Sequence, residues 1–354
     1  MKKNFLISTG GSGGHVLPAS ILYDHLSEKA NLVMSIDKRG LKYLNEDLYQ
    51  FEIIDTPKLN NMFFLPFKFV IILFLIFKSL ILIRKKKIDK VFSTGGYMSL
   101  PLIIAARLLK LKIYLIEPNH ILGQANKYFL NFCEKIFCYD KEIKNFPDHL
   151  EKKKVIINPL ISKSLYKIKT NPNKNKIFTI LVVGGSQGAN IFDKNLKFSI
   201  INISKKIPIK IIQQTSKENI NSLEDFYTKN NIENKIFSFE KNFFNIIQQA
   251  DLCITRAGAS SLAELAAINV PFLAVPLPTS KDNHQFENAN FYKNNDCCWV
   301  IEQKNFEEKI EDVLIDILHN RSNYLDKKEN LKRLNYQNTW INVNQKILKN
   351  INEN

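Results

Sequence analysis

The sequence predicts an α/β protein made of two consecutive units, each with a parallel sheet between layers of helices. Three observations lead there. A short apolar strand running into a glycine loop and then a helix occurs at the start of the chain and again just past its middle. Strand patterns alternate with helical patterns through both halves. The length, 354 residues, suits two domains at roughly 100–200 residues each, each large enough for its own core.

In the first half, Phe5 to Ser8 reads as a buried strand closed by a glycine cluster, followed by a helical pattern from Pro18 to Glu28. Asn31 to Ile36 and Phe51 to Ile54 are strands. So is Lys90 to Ser93, ending on Gly95 and Gly96, and so is Lys112 to Ile116. Lys163 to Lys176 is polar, with Asn171-Pro172-Asn173 at its centre, and reads as a linker. The pattern then restarts. Ile177 to Val183 closes on Gly184-Gly185-Ser186-Gln187-Gly188, and Ile207 to Gln213 follows. Leu252 to Thr255 runs into Arg256-Ala257-Gly258, and Phe272 to Val275 into Pro276-Leu277-Pro278. The two units share a plan and are not repeats residue by residue. The domains expected are 1–162, 163–335 and a terminal helix, 336–354, that packs back on the first.

Composition narrows the class less than the pattern does. Hydrophobic residues at 45% and charged residues at 24% are ordinary for a globular protein. The net charge of +16 implies an anionic partner: nucleic acid, a membrane surface or a phosphate-bearing substrate. It does not choose among them, because a Lys/Asn/Ile-rich composition spread along the whole chain also produces it. Diffuse basic residues with no reading motif argue against nucleic acid. Cys133, Cys138, Cys253, Cys297 and Cys298 are odd in number and form no CxxC pair, which fits a reducing cytoplasm and not a zinc site. Met1-Lys2-Lys3-Asn4 precedes too short an apolar run for a signal peptide.

Three loops are built for phosphates. In Thr9-Gly10-Gly11-Ser12-Gly13-Gly14-His15, glycines let the backbone approach an anion, and the following helix aims its N–H groups at it. Neither the dinucleotide fingerprint nor a Walker A loop fits here. Gly184 to Gly188 repeats the arrangement with a hydroxyl at Ser186. The third loop, Thr255 to Glu264, admits two explanations: Ser261-x-x-Glu264 as a capping box, or a diphosphate at a helix N-terminus with Glu264 on a ribose diol. Downstream, Asp282-Asn283-His284-Gln285 and Asn288 suit a loop that hydrogen-bonds a sugar.

With those loops in order, the chain resembles the MurG family of bacterial N-acetylglucosaminyltransferases, which convert lipid I to lipid II in peptidoglycan synthesis. The likeness runs from Gly10 to about Asn290. It includes Ser93-Thr94-Gly95-Gly96-Tyr97, Glu117-Pro118-Asn119, Asn126-Lys127, Asn158-Pro159, Val182 to Ala189, Arg256 to Glu264, and Asp282 to Gln285 with Asn288-Ala289. The resemblance implies a GT-B fold, two Rossmann-like parallel-sheet domains facing a cleft. UDP-N-acetylglucosamine would sit on the second domain and lipid I on the first. Carried over, Ser12, Gly13, Gly14 and Asn119 would line the donor side of the cleft from the first domain. Ser186 would meet the diphosphate, and the backbone at Glu240 the uracil. Ala259, Ser260, Ser261, Leu262, Ala263 and Glu264 would cradle phosphate and ribose, and Gln285 the sugar hydroxyls. Gly10, Gly11, Gly95, Gly96, Tyr97 and Asn126 would face the acceptor. The chain departs at Ile161, where the family has an Arg toward the nucleotide; Lys163 is the candidate replacement. Pro118 stands where the family often has Gln.

The implied reaction is inverting transfer of the sugar to the 4-hydroxyl of the acceptor's muramoyl sugar, with His15 as general base because its reference pKa lies near operating pH. No cofactor or metal is expected. Two other readings remain: a related transferase with a glycolipid acceptor, and a non-catalytic nucleotide-binding Rossmann protein.

Met62 to Ile83 is strongly apolar and precedes Arg84-Lys85-Lys86-Lys87. The stretch after Pro66-Phe67-Lys68 covers only about 22 Å against a ~30 Å bilayer core, and it lies between two strands of one sheet. At about 100° per residue Lys68, Lys78 and Lys85 share an arc of about 100°, leaving a far wider apolar arc than sheet packing needs. One face is therefore expected on the sheet and an adjoining face in the membrane interface, with Arg84–Lys87 at anionic headgroups. The expected location is peripheral, on the cytoplasmic face of the inner membrane.

Overall fold

The computed structural model describes residues 2–57, 65–167, 177–184, 190–238, 240 and 243–352. Two compact units emerge: Met1–Lys163 with Asn338–Asn354, and Ser164–Gln337.

In unit 1 the chain runs β1 (Lys3–Ser8), α1 (Gly13–Leu26), β2 (Ala30–Ile36), α2 (Lys38–Leu41), β3 (Phe51–Ile53), α3 (Leu65–Lys85), β4 (Lys90–Ser93), α4 (Leu100–Leu108), β5 (Lys112–Glu117), α5 (Gln124–Phe129), β6 (Lys135–Cys138) and β7 (Lys154–Ile156). The sheet order is β3-β2-β1-β4-β5-β6-β7, every pair parallel. Chain order reverses between β1 and β4, where Ser8 lies opposite Ser93. In open parallel sheets the crevice at such a reversal, beyond the carboxyl ends of the strands, is the ligand position. Both faces are covered, as a fully parallel sheet requires. One core layer holds Val16, Leu22 and Leu26 of α1 against Phe92 and Tyr114. The other holds Leu75 and Ile83 of α3 with Leu102 and Ala106 of α4.

Unit 2 contains β8 (Phe178–Val183), α6 (Asn190–Ser204), β9 (Ile209–Gln214), α7 (Ile220–Lys229), β10 (Glu233–Phe237), α8 (Phe243–Ile247), β11 (Leu252–Thr255), α9 (Ala259–Ala267), β12 (Phe272–Ala274), α10 (His284–Asn294), β13 (Cys298–Val300), α11 (Phe306–His319) and α12 (Arg321–Asn335). Its parallel order, β10-β9-β8-β11-β12-β13, reverses between β8 and β11. The chain then re-enters unit 1 as α13 (Trp340–Asn352), whose Val343, Ile347 and Ile351 join the α1 core layer. All five cysteines are free and buried.

Two sequence expectations change. Helix α1 begins at Gly13, not Pro18, so Pro18 lies inside it. Its ring removes one helical N–H, and the glycines that argued for a loop supply the first turn. Helix α3 begins at Leu65, so Pro66 is in its first turn, where a missing N–H costs nothing. At 21 residues the helix is about 31 Å long, more than the sequence reading allowed. Lys68, Lys78, Arg84 and Lys85 interrupt it, and it must return to β4 of the sheet that β3 left. Among the described residues no helix is long and apolar enough to cross a membrane. Met62 to Phe64 lie outside the described residues.

Candidate functional site: glycine loops at the two sheet reversals

At the reversal in unit 1, β1 leads through Thr9 and Gly10 to Gly11, whose φ of +76° belongs to glycine. Asp37, fully buried just past β2, accepts from the Gly11 N–H at 2.7 Å and from the Gly40 N–H at 3.0 Å. Arg39 donates to the same carboxylate through Nε at 2.6 Å. It also donates to the Tyr97 hydroxyl and lies 5.0 Å from the centre of the Tyr97 ring. One buried acid thus ties the first glycine loop to Tyr97. Nothing in the spacing of motifs singled out Asp37 or Arg39. The one available signal was an acid and a cation immediately after a strand end.

Ser12 occupies the N-cap position of α1 and makes no side-chain cap, so Gly13 and Gly14 begin a helix whose end is open. His15 follows within that first turn. Its Nδ1 is 2.8 Å from the Thr94 carbonyl, across the reversal on β4's loop. Thr94 in turn donates from its hydroxyl to the Thr9 hydroxyl at 2.9 Å. Gly96, at φ +81°, packs so closely that a Cβ there would lie 3.4 Å from His15 Nε2. The next strand end carries Glu117, 2% exposed, whose carboxylate accepts from Asn119 N–H (3.1 Å), Asn119 Nδ2 (3.0 Å), Gly123 N–H (2.8 Å) and Asn126 Nδ2 (2.9 Å). Asn126 is buried and also donates to the Ile116 carbonyl. A Cβ on Gly95 would meet its amide at 3.1 Å. The structure therefore brings together Gly10, Gly11, His15, Gly95, Gly96, Tyr97, Asn119 and Asn126 at adjoining strand ends, with Asn126 as a brace beneath Gly95.

At the reversal in unit 2, Ser186 and its glycines lie outside the described residues, apart from Gly184. The partner loop after β11 is well braced. The Ala257 N–H donates to Gln285 Oε1 at 3.1 Å, and the Leu277 N–H donates to the same oxygen at 3.0 Å. Asn288, fully buried, donates to the Ala257 carbonyl at 3.1 Å. With its oxygen pinned by two backbone donors, Gln285 points its NH2 group elsewhere. Gly258 is the N-cap of α9, and no side chain caps it. Ser261 lies inside the helix, so the capping box does not form. The ordinary explanation for Ser261-x-x-Glu264 falls away, and an anion-ready helix end remains. Glu264 is half-buried, one turn further on. Burial pushes its carboxyl up to about 7. Arg256, 8% exposed, donates to the Val275 carbonyl (3.1 Å) and to Gln303 Oε1 (2.7 Å), and burial pushes its pKa down. Glu240, after β10, is half-buried, with Lys235 Nζ 4.0 Å away.

Ile161 is buried, and Lys163 is engaged within unit 1. Its ammonium lies 5.2 Å from the Trp340 ring and its charge acts on Asp24 and His25 in the last turn of α1. His15 is at the other end of that helix.

Two doubly wound parallel-sheet units are the architecture of the two-Rossmann glycosyltransferases, and the family comparison places the chain in that class. Residues 5–138 match the Glycosyltransferase family 28 N-terminal domain and residues 179–339 its C-terminal domain. The chain is 48% identical over 356 residues, 100% of both chains, to the UDP-N-acetylglucosamine--N-acetylmuramyl-(pentapeptide) pyrophosphoryl-undecaprenol N-acetylglucosamine transferase of Pelagibacter ubique. It is 35% identical over 340 residues to that of Rickettsia canadensis, covering 94% of this chain and 95% of the relative. Its fold matches the crystal structure of Acinetobacter baumannii MurG with a TM-score of 0.77 at 23% identity, over 99% and 100% of the two chains. The chain belongs to this family of N-acetylglucosamine transferases.

Proposed function

We propose that this protein transfers N-acetylglucosamine from UDP-N-acetylglucosamine to the 4-hydroxyl of the muramoyl sugar of lipid I, giving lipid II for peptidoglycan synthesis. The full-length 48% identity to a transferase of that name carries the reading.

Unit 1 takes the lipid-linked acceptor and unit 2 the nucleotide sugar. The acceptor oxygen attacks the anomeric carbon, the bond from that carbon to the β-phosphate oxygen breaks with its electron pair, and UDP leaves with inversion. His15 takes the hydroxyl proton. A neutral imidazole whose Nδ1–H donates to the Thr94 carbonyl presents Nε2 as its acceptor atom, beside Gly96. Within unit 2 the open end of α9 offers the leaving diphosphate a dipole already in place. Glu264 accepts from the ribose diol, and the NH2 of Gln285 donates to the sugar. Asn126 acts through Gly95, and the Asp37–Arg39 pair through Gly11 and Tyr97.

The protein works at a membrane surface, peripherally, on the cytoplasmic face. Phe69, Val70, Leu73, Phe74, Phe77 and Ile81 of α3 are 49–66% exposed. At about 100° per residue they cover roughly 140° on the side opposite the buried Ile72, Leu75 and Ile83. The exposed apolar arc adjoins the buried one at Ile76 and Leu80 and turns away from the sheet. That is the shape of an interfacial helix, with Arg84 to Lys87 exposed at its end.

Thermal unfolding separates this reading from a dinucleotide-binding Rossmann protein. UDP-N-acetylglucosamine should raise the midpoint and NAD should not; stabilisation by NAD alone would refute the donor assignment.

A further inference from the structure

We propose that Arg256 is the buried counter-charge to the donor diphosphate, acting on it from inside unit 2. The proposal rests on the reading of unit 2 as the UDP-sugar half. Arg256 follows β11 directly, at the sheet reversal: its N–H donates to the Val183 carbonyl at the end of β8, and two residues later the chain turns at Gly258 into α9. Its guanidinium carbon lies 5.4 Å from the centre of the Phe192 ring, in the first turn of α6, the helix that the Gly184–Gly188 loop leads into. The side chain therefore sits between the first turn of α6 and the root of the loop that leads into α9.

Its surroundings are neutral. The guanidinium donates to the carbonyls of Val275 and Pro276 and to the amide oxygen of Gln303. Its Nε is buried with no hydrogen-bond partner. Among the described residues no acid pairs with it, and burial is the one influence on its charge. A buried cation without an anion is costly even after the surroundings relax. An arriving diphosphate offsets that cost. Its charge grows as the bond to the anomeric carbon breaks, so the stabilisation increases toward the transition state. The hydrogen bonds to Val275, Pro276 and Gln303 fix the charge in place beforehand.

The test is calorimetric binding of UDP and of uridine to the full-length wild type, R256Q and R256K, with thermal unfolding as the check on fold. In R256Q the preference for UDP over uridine should fall by on the order of tenfold or more, with uridine affinity within about twofold of wild type. R256K, which keeps the charge and loses the planar fork, should keep most of that preference. A folded R256Q with an unchanged preference overturns the proposal. So does an R256K in which UDP and uridine weaken together, because that marks a brace and not a counter-charge; this arm stands even where R256Q fails to fold. A wild type that binds neither compound overturns the reading of unit 2 itself, a result distinct from either.

Discussion

His15 Nδ1 stands 2.8 Å from the carbonyl oxygen of Thr94, so a helix that follows β1 and a loop that follows β4 are joined at the sheet reversal. The contact fixes the ring's orientation and leaves Nε2 beside Gly96. His15→Ala should lower kcat on the order of 10²- to 10⁴-fold. UDP affinity, read by calorimetry, should stay within about twofold, because the ring belongs to the acceptor unit. Turnover near the wild-type value would remove His15 from the role of base.

Glu264 gives a pH dependence with a defined sign. Its carboxyl is held up to about 7, so the carboxylate that accepts from a ribose diol is depleted as pH falls below 7. Uridine, which has the ribose and no phosphate, isolates the effect. Its affinity should drop several-fold between pH 8 and pH 6, and the slope should vanish in E264Q. A flat profile in the wild type would separate Glu264 from the ribose.

His25 predicts how stability depends on pH. It is 1% exposed and stacked on Trp340 at 3.5 Å, and neither ring nitrogen has a hydrogen-bond partner. Burial, and then the nearby charge of Lys163, push its pKa from 6.5 to about 3. Below pH 6.5 the unfolded chain binds a proton that the folded one does not, so stability present at neutral pH is lost as pH falls toward 3. Between pH 7.5 and 5 the cost is about 2 kcal/mol. Urea unfolding of wild type and H25F at both pH values measures it; equal losses in the two proteins would contradict the assignment.

The outer face of α3 is testable without disturbing the fold, since Phe74 and Phe77 are 66% and 60% exposed. F74S/F77S should leave the unfolding midpoint unchanged and weaken binding to anionic vesicles at low salt by about a hundredfold or more, each lost phenylalanine contributing about 1.5–3 kcal/mol. Unaltered vesicle sedimentation would place the membrane contact elsewhere.

The strands that position the site were legible, because short apolar runs that lead into glycine-bearing loops alternate with helical patterns along the chain. Lys90–Ser93 and Leu252–Thr255 fall where the pattern put them. Of the four edge strands only Phe51–Ile53 was legible. Glu233–Phe237 alternates weakly and is half polar, and Lys154–Ile156 and Cys298–Val300 are three residues each, too short for periodicity to register. The glycine loops announced themselves through composition. Their anchors did not: Asp37 and Arg39 meet Gly11 and Tyr97 across 26 and 58 residues of chain, a relationship that only the folded sheet creates. Ser261-x-x-Glu264 was ambiguous for the same reason, since the position of the N-cap, Gly258, decides it.

The central claim is tested most directly by incubating the purified protein with radiolabelled UDP-N-acetylglucosamine and either a lipid I analogue or diacylglycerol. The account predicts label in a lipid II product with the first acceptor and none with the second. Label in the diacylglycerol product, with lipid I left untouched, would contradict it.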